Sequence, residues 1–150
     1  MISRRLALTL LLSPAFVGVW TFAEESPQIK TYVTRHVIDN EPSMEPDTVF
    51  DCSDRIYVVL EALRLPEQKT DLMVKWFNPT GEQQERTDFQ FTAQAFTRVW
   101  AWLQLNGPPG AVIGQVFDPS FGMEDFIGQW EAQVFLDKEI VNKISFQVVC

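Results

Sequence analysis

Residues 128–149 read GQWEAQVFLDKEIVNKISFQVV, and this stretch decides the fold. Its first half alternates apolar and polar side chains with a period of two, the pattern of a β-strand with one buried face. Asp137 and Lys138 then predict a tight turn, and Asn142 interrupts the second strand at a β-bulge or a sheet margin. The stretch therefore predicts an antiparallel hairpin. Its inward side chains are expected to be Trp130, Ala132, Val134 and Leu136 in the first strand and Ile140, Ile144, Phe146 and Val148 in the second.

Upstream, β-branched and aromatic content at residues 32–38, an apolar run at 55–65 and the same period of two in later segments predict further strands. The NPTG sequence at residues 78–81 is a turn signal, because proline presets φ and glycine accepts a positive φ. Residues 106–126 exceed an ordinary loop, and we expect a short edge strand at 111–117 and a helical turn at 123–126. About seven short strands without helical periodicity predict the all-β class and a single antiparallel β-sandwich. The other expected strands are residues 32–38, 55–65, 71–77, 82–91 and 96–105.

The first 23 residues form a basic and apolar leader. Arg4 and Arg5 precede eighteen uncharged residues, 6–23, which predict an apolar helix acting as a signal peptide or as a membrane anchor. Cleavage after Ala15 or Ala23 satisfies the small-residue rule, and retention remains the alternative. Both interpretations place the remainder outside the cytoplasm, periplasmic or secreted, or held at the inner membrane with the domain on its outer side. The predicted organisation is residues 1–23 as leader, 24–48 as a tether with one strand, and 49–150 as the sandwich.

The exported part is acidic and contains the two cysteines of the chain. Ten basic and twenty acidic side chains give it a net charge of about −10, which argues against nucleic acid or anionic lipid as a partner. Membrane contact is expected only through residues 6–23, if the leader is retained. Cys52 and Cys150 predict a disulfide across one domain, because the compartment is oxidising and paired zinc-ligand spacing is absent. A zinc site with His36, or intermolecular pairing, are the alternatives.

The last hairpin resembles the closing hairpin of extracytoplasmic bacterial immunoglobulin-like domains, which have a Gly-x-Trp start, a short turn and a closing Phe-x-Val strand. Here those residues are Gly128, Trp130 and the FQV of residues 146–148. Trp76 is similar to the core tryptophan of that architecture, and the turn at 78–81 is similar to its hairpins. The resemblance implies a fold over residues 50–150 and no particular activity. Unlike antibody-type domains, this chain has its second cysteine at the last residue, which favours a clip from the final strand to the loop before the first core strand.

The candidate binding surface is aromatic. Trp100 and Trp102 face away from the Val99 side of their strand, and Arg98 lies beside them. If that sheet is uncovered, it can bind a protein partner or a sugar. The alternatives are that the N-terminal segment or the 106–126 loop covers it, or that the tryptophan side is itself the core. Phe89 and Phe91, with Met73 and Phe77, are expected on the same outer sheet. Residues Phe117 and Phe121, with Met123 and Phe126, are expected to form a second cluster in the long loop.

Catalytic chemistry finds little support in the sequence. His36 is the one histidine of the chain, and no Gly-x-Ser-x-Gly nucleophile motif occurs. Two acidic groups, Asp51 with Asp54 and Asp118 with residues 124–125, are expected to lie in solvated loops. Calcium binding near Asp118 is the alternative, but neither group has the spacing of a calcium-binding loop. We therefore expect that the protein binds no cofactor and has no enzymatic activity. The predicted function is a protein-binding accessory or assembly subunit of a cell-envelope complex. The alternative is a carbohydrate or small-molecule binding module, with an enzyme using paired carboxylates as a third choice.

Overall fold

The computed structural model describes residues 26–105, 123 and 125–150. The leader at residues 1–23 and the edge strand expected at 111–117 lie outside these ranges. Within them every regular element is a β-strand, and none of their residues forms a helix long and apolar enough to cross a membrane. The ten strands are β1 (Gln28–Thr34), β2 (Val37–Ile38), β3 (Glu41–Pro42), β4 (Val49–Asp51), β5 (Arg55–Leu63), β6 (Lys69–Phe77), β7 (Gln83–Thr92), β8 (Phe96–Gln104), β9 (Gly128–Leu136) and β10 (Glu139–Val149).

The all-β prediction is confirmed. Seven of the described strands, β1 and β5 to β10, are seven to eleven residues long and correspond to the seven expected from alternation. The other three have two or three residues; β2 lies within the strand expected at residues 32–38, and β3 and β4 were not expected. Residues 32–38 were expected to form a strand, but β1 lies at Gln28–Thr34 and the chain turns away after it. A strand of two or three residues shows no alternation to detect.

The described strands form three sheets. One has the order β1-β5-β8, the second has the order β4-β10-β9-β6-β7, and the third is the small β2-β3 pair. The inward side chains of the two larger sheets form one hydrophobic core, so these sheets pack face to face. The expectation of a purely antiparallel arrangement is wrong at one edge, because β4 pairs with β10 in parallel.

The core is built around a fully buried tryptophan. Trp76 lies on the inner side of β6 between Val74 and the end of the strand, and its ring meets Phe146 of β10 edge-on at 6.4 Å. Trp130 of β9 stacks against the same phenylalanine, also at 6.4 Å, and Phe50 of β4 approaches it edge-on at 5.3 Å. Aromatic pairs of this kind add to the stabilisation from buried area. The inward positions predicted for the β9 residues Trp130, Ala132, Val134 and Leu136 are also confirmed, since all four are buried.

The final hairpin contains the predicted bulge. The pairing of β10 with β9 shifts between Ile140 and Asn142. Before the shift, Ile140 is opposite Phe135 on the outer side of the sheet and is exposed, so its expected inward position is wrong. The extra residue changes which side chains face inward, and the pattern alone did not show it. After the shift, the Asn142 amide donates a 2.6 Å hydrogen bond to the hydroxyl of Thr31 in β1, which joins β10 of the five-stranded sheet to β1 of the three-stranded sheet.

Three tight turns have the backbone that their residues allow. Asp137 and Lys138 both have positive φ, as a two-residue type I′ hairpin turn requires, and the predicted turn is confirmed. Asp39 and Asn40 do the same between β2 and β3. At the NPTG turn, Gly81 has a φ of +83° and open space around the position of a Cβ. Gly128 has a φ of +140° and packs against Pro79, where an added Cβ would lie 3.1 Å from two side-chain carbons.

The predicted disulfide is present. Cys52 follows β4, Cys150 follows β10, and their Cα atoms are 5.2 Å apart at a sequence separation of 98. The Cys52 backbone N–H also donates to the carbonyl of Val149. The bond therefore fastens the parallel β4-β10 edge, as expected of a clip between the final strand and the segment before the first core strand.

The segment expected to be a tether supplies a strand to the core structure. All seven residues of β1 pair with β5, and Val33 is a core residue. Residues 35–47 then leave this strand and include the β2-β3 hairpin before the chain reaches β4. We call residues 35–47 the strap, because it lies across the outer side of the three-stranded sheet.

Candidate interaction surface

The outer side of the β1-β5-β8 sheet carries the predicted tryptophans. The pairing registers align Tyr32, Val59 and Trp100 in one row and Thr34, Tyr57 and Trp102 in the next. Residues opposite one another in adjacent strands point to the same side of a sheet. We call the outward side chains of β1, β5 and β8 the tryptophan face. The opposite side of β8, with Ala101 and Leu103, lies in the core, so the alternative in which the tryptophan side is the core is excluded.

The strap covers part of the tryptophan face through one arginine. The side chain of Arg98 is 11% exposed, and its Nε donates to Glu61 at 3.1 Å. Its Nη2 donates to the Tyr32 hydroxyl at 3.2 Å and to the Pro42 carbonyl, while Nη1 forms an ion pair of 3.3 Å with Glu41. Arg98 was predicted to bind a partner. In the structure its donors hold the strap on the sheet.

The same contacts determine the protonation of the two central groups. Burial raises the pKa of the Tyr32 hydroxyl above its ordinary value, an effect that the hydrogen bond from Arg98 opposes. Burial lowers the pKa of Arg98, but its hydrogen bonds to Tyr32 and Glu61 outweigh burial and raise it. At neutral pH the phenol is therefore neutral and can donate to the carbonyl of Ser43, 3.2 Å away, while the guanidinium stays charged.

The base of the strap is closed by a second charged cluster. The Asp47 carboxylate accepts hydrogen bonds from the Arg35 backbone N–H at 2.9 Å and the Thr34 hydroxyl at 3.3 Å. The Arg35 guanidinium donates to Asp54 at 3.0 Å and to the Val49 carbonyl at 2.6 Å. The strap is thus held on the sheet at its middle by Arg98 and tied at its base to the β4-β5 region by Arg35.

Beyond the strap, the tryptophan face stays open at Trp102. This side chain is 47% exposed, whereas Trp100 is half-buried and Val59 is fully buried. The guanidinium carbon of Arg55 lies 4.5 Å from the centroid of the Trp102 ring, a cation–π distance. The Nε of Arg55 donates to the side-chain carbonyl of Gln104 at 3.1 Å. The expected exposed face is therefore reduced to a smaller area around one tryptophan.

The strap itself turns apolar side chains to solvent. Val37, Ile38 and Met44 are exposed, Met44 to 70%, while Pro42 and Ser43 are buried against the sheet. The strap thus uses polar contacts to attach and leaves its apolar side chains outward. These outward side chains add exposed apolar area next to the tryptophan face, where a partner can cover it.

A hollow of about 380 Å³ opens at the other end of the same sheet. It is lined by residues at this end of the three strands, including Phe96, which is 55% exposed, and Leu63. Lys30 and Glu61 supply charged groups, with their ionic atoms 4.0 Å apart. The full lining is Gln28, Ile29, Lys30, Glu61, Leu63 and Phe96.

Phe89 and Phe91 lie on the other large sheet. They belong to β7, where their partners in β6 are Leu72 and Thr70 on the inner side. Phe91 packs against the core, and the two rings are 6.4 Å apart at the sheet margin. The expectation that they share a surface with Trp100 and Trp102 is therefore wrong, because β7 and β8 are consecutive in sequence but belong to different sheets.

The other predicted positions are distributed as follows. Met73 and Phe77 pair within the five-stranded sheet on its outer side, away from the tryptophan face. Phe117 and Phe121 lie outside the described residues. The expected turn at 123–126 is present, since the Phe126 and Ile127 N–H groups donate to the Met123 carbonyl. Arg55 and Gln104 were not anticipated. Their opposite positions in adjacent strands follow only from the β5-β8 register.

The acidic groups near the disulfide are engaged in local hydrogen bonds. The hydroxyl and backbone N–H of Ser53 donate to Asp51 and lower the pKa of that carboxyl. The Asp54 carboxylate accepts from the Asp51 N–H at 2.7 Å and from Arg35. His36 is exposed, with its Nε2 3.7 Å from Asp47. Across residues 26–105, 123 and 125–150, no group of three His, Cys, Asp or Glu side chains is arranged to hold a metal ion. The acids expected at Asp118 lie outside these ranges.

Comparison with known proteins gives distant structural likeness. No protein-family model matches the sequence, and no curated protein matches it. The chain is similar to the alkylpurine DNA glycosylase AlkC of Pseudomonas fluorescens bound to DNA containing an abasic site analogue, with 13% identity, a TM-score of 0.49, and coverage of 81% of this chain and 30% of that one. It is also similar to a β-glucosidase from Listeria innocua in complex with glucose, with 11% identity, a TM-score of 0.48, and coverage of 83% and 16%. A glycosyl hydrolase family 2 member from Bacteroides cellulosilyticus DSM 14838 shows 13% identity and a TM-score of 0.43 over 77% of this chain and 14% of that one. The chain therefore spans less than a third of the length of each of these proteins.

Proposed function

We propose that this chain is a non-catalytic extracytoplasmic interaction module, an accessory or assembly subunit of a cell-envelope protein complex. The observation that carries the proposal is the half-exposed Trp102 with Arg55 stacked on its ring, beside a strap that covers the neighbouring part of the face. Tryptophan and arginine are the side chains that most often dominate the binding energy of protein interfaces. The domain that presents them is proposed to be an immunoglobulin-like sandwich, supported by the two face-to-face sheets and the buried Trp76.

The surroundings of Trp102 support docking of a protein. The strands that bear Trp102 and Arg55 are paired over nine residues, so the surface is preformed. A preformed surface loses little conformational entropy on binding. The exposed Ile38 and Met44 of the strap extend the apolar area of the same side of the domain. The disulfide is compatible with the proposed compartment, since such bonds persist outside the cytoplasm.

Site-specific photocrosslinking in cells tests this function. A photoreactive phenylalanine analogue replaces Trp102 in one variant and Gln133 in a matched control. Gln133 lies on β9 and faces outward from the five-stranded sheet. We expect the first variant to form a discrete adduct with another envelope protein and the control to form none. Adducts from the Gln133 position alone, or no protein adduct from either position, would contradict docking through the tryptophan face.

The hollow at Phe96 favours a second candidate function, binding of a carbohydrate or other small molecule. It combines an aromatic ring and Leu63 with the polar side chains of Gln28, Lys30 and Glu61, as small-ligand sites commonly do. Nuclear magnetic resonance titration of the full chain with neutral and acidic sugars tests it, with Phe96→Ala as the variant. This candidate requires saturable shifts in the lining residues that Phe96→Ala abolishes. Unchanged spectra count against it.

A further inference from the structure

Arg55 is held in a fixed position on the tryptophan face. Its guanidinium carbon lies 4.5 Å from the Trp102 ring centroid, and its Nε donates to the Gln104 side-chain carbonyl at 3.1 Å. Gln104 is itself oriented, because its amide nitrogen donates to the backbone carbonyls of Ser53 at 3.1 Å and Leu105 at 3.3 Å. The stacking and the Nε bond together orient the two terminal nitrogens of Arg55, and neither nitrogen has a hydrogen bond to a residue in the described ranges.

The charge of Arg55 is not neutralised by any acidic group that the structure describes. Its counterparts differ: Arg35 pairs with Asp54, Arg86 with Asp88 and Arg98 with Glu61, all within 3.1 Å. This contrast occurs in a chain with eight more acidic than basic side chains. An oriented arginine without a carboxylate, stacked on an exposed tryptophan, is complementary in charge and geometry to an external carboxylate.

We propose that Arg55 and Trp102 bind an acidic side chain of the protein partner, with an adjacent apolar side chain of the partner resting against the indole. This inference rests on the proposed function and names the chemistry of the partner. The two free guanidinium nitrogens form parallel hydrogen bonds to the aspartate or glutamate oxygens. Gln104 acts as a positioning residue, because it holds the Nε side of the guanidinium and leaves the other side for the ligand.

The acidity of the rest of the surface makes this contact selective. A partner segment with a carboxylate is repelled by most of the exported domain and is attracted where Arg55 is uncompensated. A carbohydrate fits less well at this point, since Arg55 already occupies one side of the Trp102 ring and sugar stacking uses an open aromatic face. The observations therefore favour a protein segment over a saccharide.

The test selects peptides from a random library displayed on phage, using the disulfide-bonded full chain in mild detergent as the target. An enriched peptide is synthesised in its acidic form and with the acid replaced by the corresponding amide. Dissociation constants are measured by fluorescence anisotropy with the native chain, Arg55→Gln, Gln104→Ala, Trp102→Ala and the control Arg86→Gln. Arg86 is exposed on β7 and paired with Asp88, which makes it a matched arginine outside the proposed surface.

We expect the enriched peptides to share an acidic residue beside an apolar one. Arg55→Gln weakens binding of the acidic peptide about tenfold, the usual effect of losing a hydrogen bond to a charged group. The amide peptide binds the native chain more weakly than the acidic peptide does, by the same factor. Its affinity for Arg55→Gln is no lower than its affinity for the native chain, because both changes remove the same contact. Gln104→Ala gives a smaller loss, seen with the acidic peptide and not with the amide. Arg86→Gln leaves the affinity unchanged.

Three results overturn the inference. Peptides that depend on Trp102 but not on Arg55 or on an acid refute the carboxylate contact and leave the proposed function standing. Failure to enrich any peptide that depends on Trp102 counts against both. A galacturonate is tested as a competitor in the same anisotropy assay. If it binds at Arg55 and displaces a peptide whose own binding does not require an acid, the surface is assigned to an acidic sugar and the protein segment is refuted.

Discussion

Replacing Arg98 with methionine tests whether this residue holds the strap on the sheet. The substitution keeps an apolar side chain of similar length and removes the charge and the donors that reach Glu61, Tyr32 and Pro42. Removing one partner of a buried ion pair costs about 3–5 kcal/mol of folding free energy. Glu61 is 19% exposed and also lies 4.0 Å from Lys30, so we expect a cost below this range, about 2–3 kcal/mol.

Urea unfolding of Arg98→Met and of Glu41→Gln provides the measurement. Glu41 also contacts Arg98, at 3.3 Å, but its side chain is 63% exposed, and an exposed ion pair contributes about 0–1 kcal/mol. Hydrogen exchange in the strap should accelerate in Arg98→Met and remain close to native in Glu41→Gln. Equal costs for the two variants, or unchanged exchange over residues 37–43 in Arg98→Met, would show that Arg98 does not hold the strap.

The remaining predictions concern the disulfide, the buried phenol and two glycines. Replacing both Cys52 and Cys150 with serine should lower the free energy of unfolding by about 2–5 kcal/mol, because the bond closes a loop of 98 residues; a loss below 1 kcal/mol in urea unfolding would refute this. The raised pKa of Tyr32 means that the folded state favours the neutral phenol. The contribution of this group to the free energy of unfolding is therefore fully present below pH 10 and is lost as pH rises through the folded pKa. Tyr32→Phe should flatten this alkaline decline in thermal melts at pH 9 to 11, and an unchanged slope would argue against it. Gly128→Ala should lower the free energy of unfolding by about 2–3 kcal/mol, because the alanine combines a positive φ with a close contact to Pro79. Gly81→Ala has the unfavourable φ alone and should cost about 1 kcal/mol. Equal losses on chemical unfolding would contradict the packing argument.

The strands that could be predicted from sequence are those with one solvent-exposed side and one buried side. The alternation around Trp76 and around Trp130 reflects burial on a single side, and both strands lie where it indicates. Ile140 is the exception, because one extra residue before Asn142 reverses the side on which it lies. The parallel partner of the last strand has three residues, too few for any period to appear.

The candidate surface was predictable only in part for a related reason. The pattern placed Trp100 and Trp102 on the side of their strand opposite Val99, as observed, but it left open which of the two sides is the core. It could not assign Phe89 to a sheet, since a strand pattern indicates an inner and an outer side but not the neighbouring strand. Arg55 and Gln104 are 49 residues apart, and their contact depends on the β5-β8 register. Long-range pairing of this kind leaves no local signal in a single sequence.

The cross-link between Cys52 and Cys150 also determines how the domain responds to mechanical tension. When a pulling force acts between Ser26 and Cys150, the covalent path runs from Ser26 to Cys52 and across the sulfur atoms, so the intervening segment carries no load. The chain can then lengthen to roughly 90 Å, compared with roughly 430 Å for the same span without the bond. Strands β5 to β10, including the strand that bears Trp102, lie within the shielded segment, so tension would extract β1, the strap and β4 and leave the rest of the sandwich folded.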